Sequence, residues 1–368
     1  MKPIRVLHMI GSLEVGGSQA MLMNIYRNMD RNQIQFDFII DKNQGGLFEK
    51  EVKELGGIVY SMPSFNGTNI HEIKKKWNAF FMEHSDYKIL HSHIRSYASI
   101  YLPIAKKYSI KTIIHSHSTS NGKGIKALAK AIMQYPLRWQ ADYFFGCSKK
   151  SGEWLYGKRI VESDRFYVLK NAINTAEYKP DYKIRELYRD KLNISKNVKV
   201  YVHIGRLHES KNHDFLLHVF REVVRMNHSS ILLLVGDGEL HDKIKNEIKK
   251  LKLDENVKML GARSDVPNIL QVADCFLFPS SWEGLPVTVV EAQAAGVPCL
   301  ISDKITDEVN ITSLVKKLPI DQGVSCWIEA IQKIPSQKQN VIKQICDAGF
   351  DIGESTEWLK DFYEEILK

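Results

Sequence analysis

What most constrains this chain is the alternation, repeated along its length, of short apolar runs with segments of helical periodicity. IRVLHMI, FDFII, GIVYS, YKILHSH, KTIIHSH, YFFGCS and RFYVLK read as strands in the first half. Between the first two of them, residues 18–29 place Met21, Leu22, Ile25, Tyr26 and Met29 at helical spacing. Residues 47–55, 71–83 and 125–139 are helix-like as well. KVYVHIG, ILLLVGDG, VKMLG, CFLFPS and PCLIS continue the series, with helices expected over 214–226, 239–251 and 288–295. Strands apolar on both faces and separated by helices imply a parallel sheet covered on both sides.

The chain therefore reads as α/β, with two doubly wound Rossmann-like domains and a cleft between them. Ligands of such sheets bind at the carboxyl ends of the strands. The domains expected are 1–173 and 174–350, the second entered through a polar stretch, 174–197, that carries Pro180 and one helix. A last helix, 351–368, striped by Trp358, Leu359, Phe362 and Ile366, is expected to pack back on the first domain.

With 44% hydrophobic and 26% charged residues, the composition is that of a soluble globular protein and excludes a disordered one. MKPIRVLHMI has no signal-peptide pattern, and no apolar run approaches the roughly 20 residues a bilayer span needs. Five scattered cysteines without a CxxC read as buried thiols in a reducing compartment. Together these features predict a cytoplasmic protein. The net charge of +8 is spread thinly and comes with no nucleic-acid-binding motif, so phosphorylated ligands or an anionic surface are the expected partners.

Four features carry chemistry. In Trp282-Glu283-Gly284-Leu285-Pro286-Val287-Thr288, a strand ends, a loop follows and a helix begins. Unpaired N–H groups at such a start form an anion site. Glu283 precedes it and Glu291 lies about one turn inside, two acceptors suited to the hydroxyls at either end of a sugar nucleotide. Second, Arg206 and Lys211 follow the end of KVYVHIG, where cations neutralise a diphosphate and stabilise its departure. Third, Gly16 and Gly17 sit between the first strand and its helix, and let backbone approach a ligand. Gly17 stands where a P-loop would have lysine, and the dinucleotide fingerprint is absent. Fourth, His91-Ser92-His93 and His115-Ser116-His117 end two strands. No carboxylate or cysteine follows at ligand spacing, so a polar contact to substrate is expected and a metal is not.

In this order and spacing the residues resemble the glycosyltransferase family 4 proteins of the GT-B fold, in particular the bacterial capsular and exopolysaccharide branch. The resemblance spans essentially the whole chain: Gly16-Gly17, His117, Asn171-Ala172-Ile173, Gly205-Arg206 with Lys211, Gly236-Asp237-Gly238, and the E-x7-E pair Glu283 and Glu291. It implies an acceptor-binding first domain and a nucleotide-sugar-binding second one. Arg206 and Lys211 would bind the donor diphosphate, Glu291 the ribose and Glu283 the donor sugar. Gly284, Leu285, Val287 and Thr288 would meet sugar and phosphate, Gly16 and Gly17 the diphosphate, and Arg263 the base. His117 would lie near the anomeric centre. The transfer would retain configuration and need neither metal nor other cofactor. Two departures stand out. Lys170-Asn171-Ala172-Ile173-Asn174 replaces the usual Pro-Asn-Gly-Ile-Asp, and Gly-Leu-Pro follows Glu283 where many relatives have Ser-Phe-Gly.

The expected activity is transfer of a hexose or N-acetylhexosamine from a UDP-sugar to a saccharide or polyprenyl-linked saccharide in cell-surface polysaccharide synthesis. A UDP-sugar 2-epimerase and a non-catalytic nucleotide-sugar-binding protein are the alternatives. Residues 121–140 add a membrane expectation. Ile125, Leu128, Ala129, Ile132 and Met133 share a stripe beside Lys123, Lys126, Lys130 and Arg138, giving either a peripheral contact with anionic lipid or an ordinary helix with its stripe in the core.

Overall fold

The computed structural model describes residues 2–14, 16–41, 46–118, 120–122, 124–335 and 337–368, with Lys126 as backbone only. The chain divides into two compact units: Met1–Ala172 with Ile352–Lys368, and Ile173–Asp351.

The first unit is a seven-stranded sheet of order β3-β2-β1-β4-β5-β6-β7. Its strands are β1 (Ile4–Met9), β2 (Ile34–Ile40), β3 (Val59–Ser61), β4 (Ile89–Ser92), β5 (Lys111–Ser116), β6 (Tyr143–Gly146) and β7 (Phe166–Val168). The second is six-stranded, β10-β9-β8-β11-β12-β13. It comprises β8 (Lys199–Ile204), β9 (Ser230–Val235), β10 (Val257–Gly261), β11 (Cys275–Phe278), β12 (Cys299–Ser302) and β13 (Val315–Leu318). Neighbouring strands pair in parallel throughout. Both orders follow the doubly wound 3-2-1-4-5-6 pattern. Strand order reverses between β1 and β4 in one unit and between β8 and β11 in the other, and those reversal points open the crevices where ligands of such sheets bind.

Burial explains the apolar runs. Every residue of β2 and of β9 is buried, because each sheet is covered on both faces. Within β2 the one charge, Asp37, is fully buried and compensated by Arg5 Nε at 2.6 Å, the Tyr87 hydroxyl at 2.7 Å and the Ile58 amide at 2.7 Å. The C-terminal helix Ile352–Glu365 buries Leu359, Phe362 and Tyr363 in the core of the first unit.

Three sequence expectations change. The single helix over 125–139 is two, Ile125–Gln134 and Leu137–Gln140, because Pro136 cannot donate the backbone bond that would continue the first. The stretch 174–197 contains two helices, Thr175–Tyr178 and Tyr182–Lys191, where one was expected. β13 lacked an apolar signature because it is an edge strand with Lys316 and Lys317 at its centre. Among the described residues no helix is long and apolar enough to cross a membrane. Of the five cysteines, Cys147, Cys275 and Cys299 are buried.

Candidate functional site

In the second unit the chain leaves β8 at Gly205-Arg206, beside the loop that leaves β9. Gly236 there has φ +134°, and a Cβ on it would stand 2.0 Å from the Gly205 carbonyl oxygen. Only glycine lets the two loops pass so closely. A short 3-10 turn, Glu209–Lys211, then ends at Asn212 in the left-handed conformation (φ 54°, ψ 49°) and turns Lys211 back across Gly205.

Lys211 Nζ lies 2.6 Å from Glu283 Oε1 and 4.6 Å from the centroid of the Phe278 ring. Both side chains are mostly buried, with 13% and 17% of their surface exposed. The contact is a charge-assisted ion pair withdrawn from solvent. The Ser281 amide donates to the Ser210 carbonyl at 2.8 Å and so ties together the loops carrying Lys211 and Glu283.

Eight residues beyond Glu283, Glu291 rides on the helix Val287–Ala294, which has no side-chain cap and no acidic residue in its first turn. The amides of Val287 and Thr288 thus belong to the orphan donors of a helix start, next to Gly284, around which a Cβ would meet open space. Burial raises the Glu291 carboxyl above the usual range, and the Tyr178 hydroxyl, donating to Oε1 at 2.8 Å, opposes that rise. Tyr178 lies in the segment read from sequence as linker, and nothing in its local pattern announces the contact. Leu285 and Val287 pack on the core of the unit.

Arg206 is more exposed (71%) and pairs with Glu239 at 3.1 Å. Arg263 Nε and Nη2 grip Asp265 at 2.8 and 2.6 Å, edge-on, which holds the Asp265 carboxyl down at about 2. That fork occupies the edge of the guanidinium and leaves its faces for stacking.

In the first unit the helix Gly17–Asn28 starts from extended Gly16 (φ −161°, ψ 166°). A Cβ on Gly17 would meet nothing within 4 Å, so the fold itself does not demand glycine there. At the carboxyl ends of β1, β4 and β5 the rings of His8, His91, His93, His115 and His117 stack into one array, with centroids 4.0 Å apart for His115 and His117 and 4.6 Å for His91 and His93. His8 Nδ1 meets His93 Nε2 at 3.1 Å, and His93 Nδ1 meets His117 Nε2 at 2.8 Å. His91 Nδ1 meets the Tyr363 hydroxyl at 2.7 Å. Burial pushes His8 and His117 down to about 3 and the other three well below their ordinary value, so all five are neutral near pH 7. His117 therefore offers a neutral ring. His8/His91/His93 and His93/His115/His117 each bring one ligand atom per residue within 4.8 Å of the others; the first set escapes sequence reading because His8 is distant in the chain, and the second joins the two HxH pairs. These sets offer imidazole nitrogens only.

The match to known proteins follows the same division. Residues 15–177 match the family model described as Glycosyltransferase Family 4, and residues 184–307 match Glycosyl transferases group 1. A putative glycosyltransferase of Bacillus subtilis, EpsF, is 29% identical over 98% of this chain and 96% of its own. The Staphylococcus aureus capsular polysaccharide biosynthesis glycosyltransferase CapH is 22% identical over 98% of each chain. An Escherichia coli UDP-Gal:alpha-D-GlcNAc-diphosphoundecaprenol alpha-1,3-galactosyltransferase is 24% identical over 76% of each. Among solved structures, a Rickettsia africae glycosyltransferase superposes with TM-score 0.79 at 18% identity over all of both chains. Anabaena HepE, solved with UDP and glucose, superposes with TM-score 0.75 at 17% identity over 98% of this chain and 99% of its own. The chain belongs to the family 4 glycosyltransferases, with a group 1 glycosyltransferase domain as its second half and the GT-B fold throughout.

Proposed function

We propose that the protein transfers a hexose or N-acetylhexosamine from a UDP-sugar, with retention of configuration and without a metal, to a saccharide or lipid-linked saccharide in cell-surface polysaccharide synthesis. The observation carrying this reading is the buried Lys211–Glu283 pair beside an uncapped helix start that bears Glu291 one turn further on. Glu291 accepts from the ribose hydroxyls, and the amides of Val287 and Thr288 together with Arg206 and Lys211 hold the diphosphate. Glu283, oriented by Lys211, accepts from the donor sugar. His117, neutral and bonded to His93, makes a polar contact with substrate.

As the bond from the anomeric carbon to the diphosphate breaks, negative charge grows on the leaving oxygen, where Arg206 and Lys211 stabilise it. The leaving phosphate takes the proton of the acceptor hydroxyl, whose oxygen forms the new bond on the same face. Support for the donor and acceptor classes comes from relatives: HepE was solved with UDP, and the E. coli relative is named for UDP-Gal and a diphosphoundecaprenol-linked acceptor.

The second component of the reading is peripheral attachment to the cytoplasmic face of the membrane. Ile125, Leu128 and Ile132 are exposed by 87%, 63% and 66%, with Trp139 at 66%, so the stripe of the helix Ile125–Gln134 lies outside the core; only Met133 turns inward. Lys130 is on the same helix; the side chain of Lys126 and the whole of Lys123 lie outside the described residues.

The test is a panel of nucleotide sugars scored by release of free UDP, with the anomeric configuration of the product read by NMR. One UDP-sugar is expected to release UDP only when acceptor is present. Interconversion of the sugar without free UDP would establish the epimerase instead, and an inverted product would overturn retention.

A further inference from the structure

The N-terminal unit holds two partly buried arginines that are paired with no carboxylate among the described residues. Arg138 lines a pocket of about 380 Å³ together with Ser120, Asn121, Gly122, Ala131 and Trp154. Its guanidinium carbon stands 4.6 Å from the Tyr135 ring centroid, and its buried Nε has no hydrogen-bond partner. The Arg95 guanidinium carbon stands 5.2 Å from the ring of Trp154, which forms a wall of that pocket. Its Nη1 donates to the Ser118 carbonyl at 3.4 Å, the one hydrogen bond found to the side chain among the described residues. Burial lowers the Arg95 pKa.

Such a pair is costly to hold empty. Taking a guanidinium out of water is repaid only by an anion that satisfies its donors. The planar fork of arginine matches phosphate oxygens bidentately. The pocket wall is fixed as well, since Asn121 and Gln134 exchange hydrogen bonds at 2.8 and 3.1 Å and anchor the loop to the helix. The same helix lines the pocket with Ala127 and Ala131 and turns Ile125, Leu128 and Ile132 to solvent. An anionic pocket ligand with an attached hydrocarbon would therefore find a charged socket and an adjoining apolar track.

We propose that Arg138 and Arg95, set around Trp154, form a subsite for the phosphate or diphosphate ester of a lipid-linked acceptor. The proposal rests on the reading of the acceptor given above and adds which group of the acceptor is held and where. The same chemistry could come from an anionic lipid headgroup, and the two sources are separable.

The test uses the full chain with saturating UDP, which fills the donor site, and farnesyl diphosphate as probe, titrated by calorimetry. Wild type is expected to bind it, and to bind farnesol, which lacks the phosphates, far more weakly. Arg138→Gln and Arg95→Gln should each weaken farnesyl diphosphate by about tenfold or more, the scale of a lost charge-assisted hydrogen bond, with Arg138→Lys intermediate. UDP affinity should stay within about twofold, a measure that the fold survives, since separate residues hold UDP in this reading. If Arg95→Gln does not fold, Arg138→Gln decides. Unchanged farnesyl diphosphate affinity in Arg138→Gln, or equal affinity for farnesol, overturns the subsite. Loss of binding to phosphatidylglycerol vesicles in Arg138→Gln, with farnesyl diphosphate affinity intact, overturns the acceptor assignment in favour of a headgroup. Failure of wild type to bind UDP sinks the transferase reading instead, an outcome distinct from all of these.

Discussion

The hydroxyl of Tyr178 donates to Glu291 Oε1 at 2.8 Å, across 113 residues of sequence, and it is the only side-chain hydrogen bond found to Glu291 among the described residues. One donor does not offset the burial of the carboxylate, whose pKa stays raised. A raised carboxyl pKa means that the folded protein prefers the protonated form. The stability this contributes is present below the unfolded-state pKa of glutamate and is lost as pH rises through the folded-state value. In the absence of ligand, Glu291→Gln is therefore expected to raise the melting temperature at pH 8, with the advantage shrinking as pH falls toward 4. A melting difference that is constant with pH would show that Glu291 is not strained by its charge.

UDP binding should run the other way. Ribose hydroxyls donate to the ionised carboxylate, so Glu291→Ala is expected to weaken UDP by about 1–3 kcal/mol, the scale of hydrogen bonds to a charged group. Tyr178→Phe leaves Glu291 with less support and is expected to weaken UDP by less. Calorimetry giving an unchanged UDP affinity in Glu291→Ala would sink the assignment of the ribose to this residue.

Arg206 and Lys211 should separate in their effects. Arg206 is exposed and pairs at the surface with Glu239, an arrangement that contributes little to stability. Its expected role is in the transition state, so Arg206→Ala should lower kcat by roughly a hundredfold while changing donor KM much less. Lys211 is mostly buried against Glu283 and Phe278. Lys211→Ala leaves Glu283 a buried carboxylate without its cation, so lower thermal stability is expected alongside lost turnover. Equal losses in KM and kcat for Arg206→Ala would indicate positioning of the ground state alone.

The alternation of strand and helix was legible because the inner strands, such as β2 and β9, are buried on both faces and show as nearly unbroken apolar runs. Glu283 and Glu291 stood out because loop and helix start lie close together in sequence, and Lys211 because it follows the end of a strand. The support around them was not: Tyr178 reaches Glu291, and Lys211 reaches Glu283, only through the folded sheet. The histidine array likewise needs β1, β4 and β5 side by side, so HxH pairs on two strands gave no hint of His8 or Tyr363. A periodic pattern also cannot say which way a stripe faces, and the helix Ile125–Gln134 turned its own outward.

The metal-free reading meets its sharpest check at those histidines. In the proposed mechanism Arg206 and Lys211 supply the positive charge that a divalent ion would otherwise bring, so activity is expected to survive EDTA unchanged. Abolition by chelator and rescue by Mn²⁺ or Mg²⁺ would contradict it. His117→Ala in the same assay should lower kcat, and His93→Ala should lower it less, since His93 acts by orienting the His117 ring through the 2.8 Å contact.

The exposed stripe yields the last expectation. Leaving Ile125, Leu128 and Ile132 in water forgoes the roughly 25 cal/mol per Å² that burying apolar surface returns, and a headgroup interface supplies that burial without a protein partner. The cations beside the stripe add about 1 kcal/mol each with anionic lipid, a contribution that salt screens. Wild type should therefore co-sediment with vesicles containing phosphatidylglycerol, far less with phosphatidylcholine alone, and less again at high salt. Replacing Ile125, Leu128 and Ile132 together by Ser should abolish co-sedimentation while leaving UDP affinity and the melting temperature nearly unchanged, because these side chains hold up no core. Changing Lys123, Lys126 and Lys130 to Glu should remove the preference for anionic lipid. Negligible binding to both vesicle types, or no response to either set of substitutions, would refute attachment through this helix.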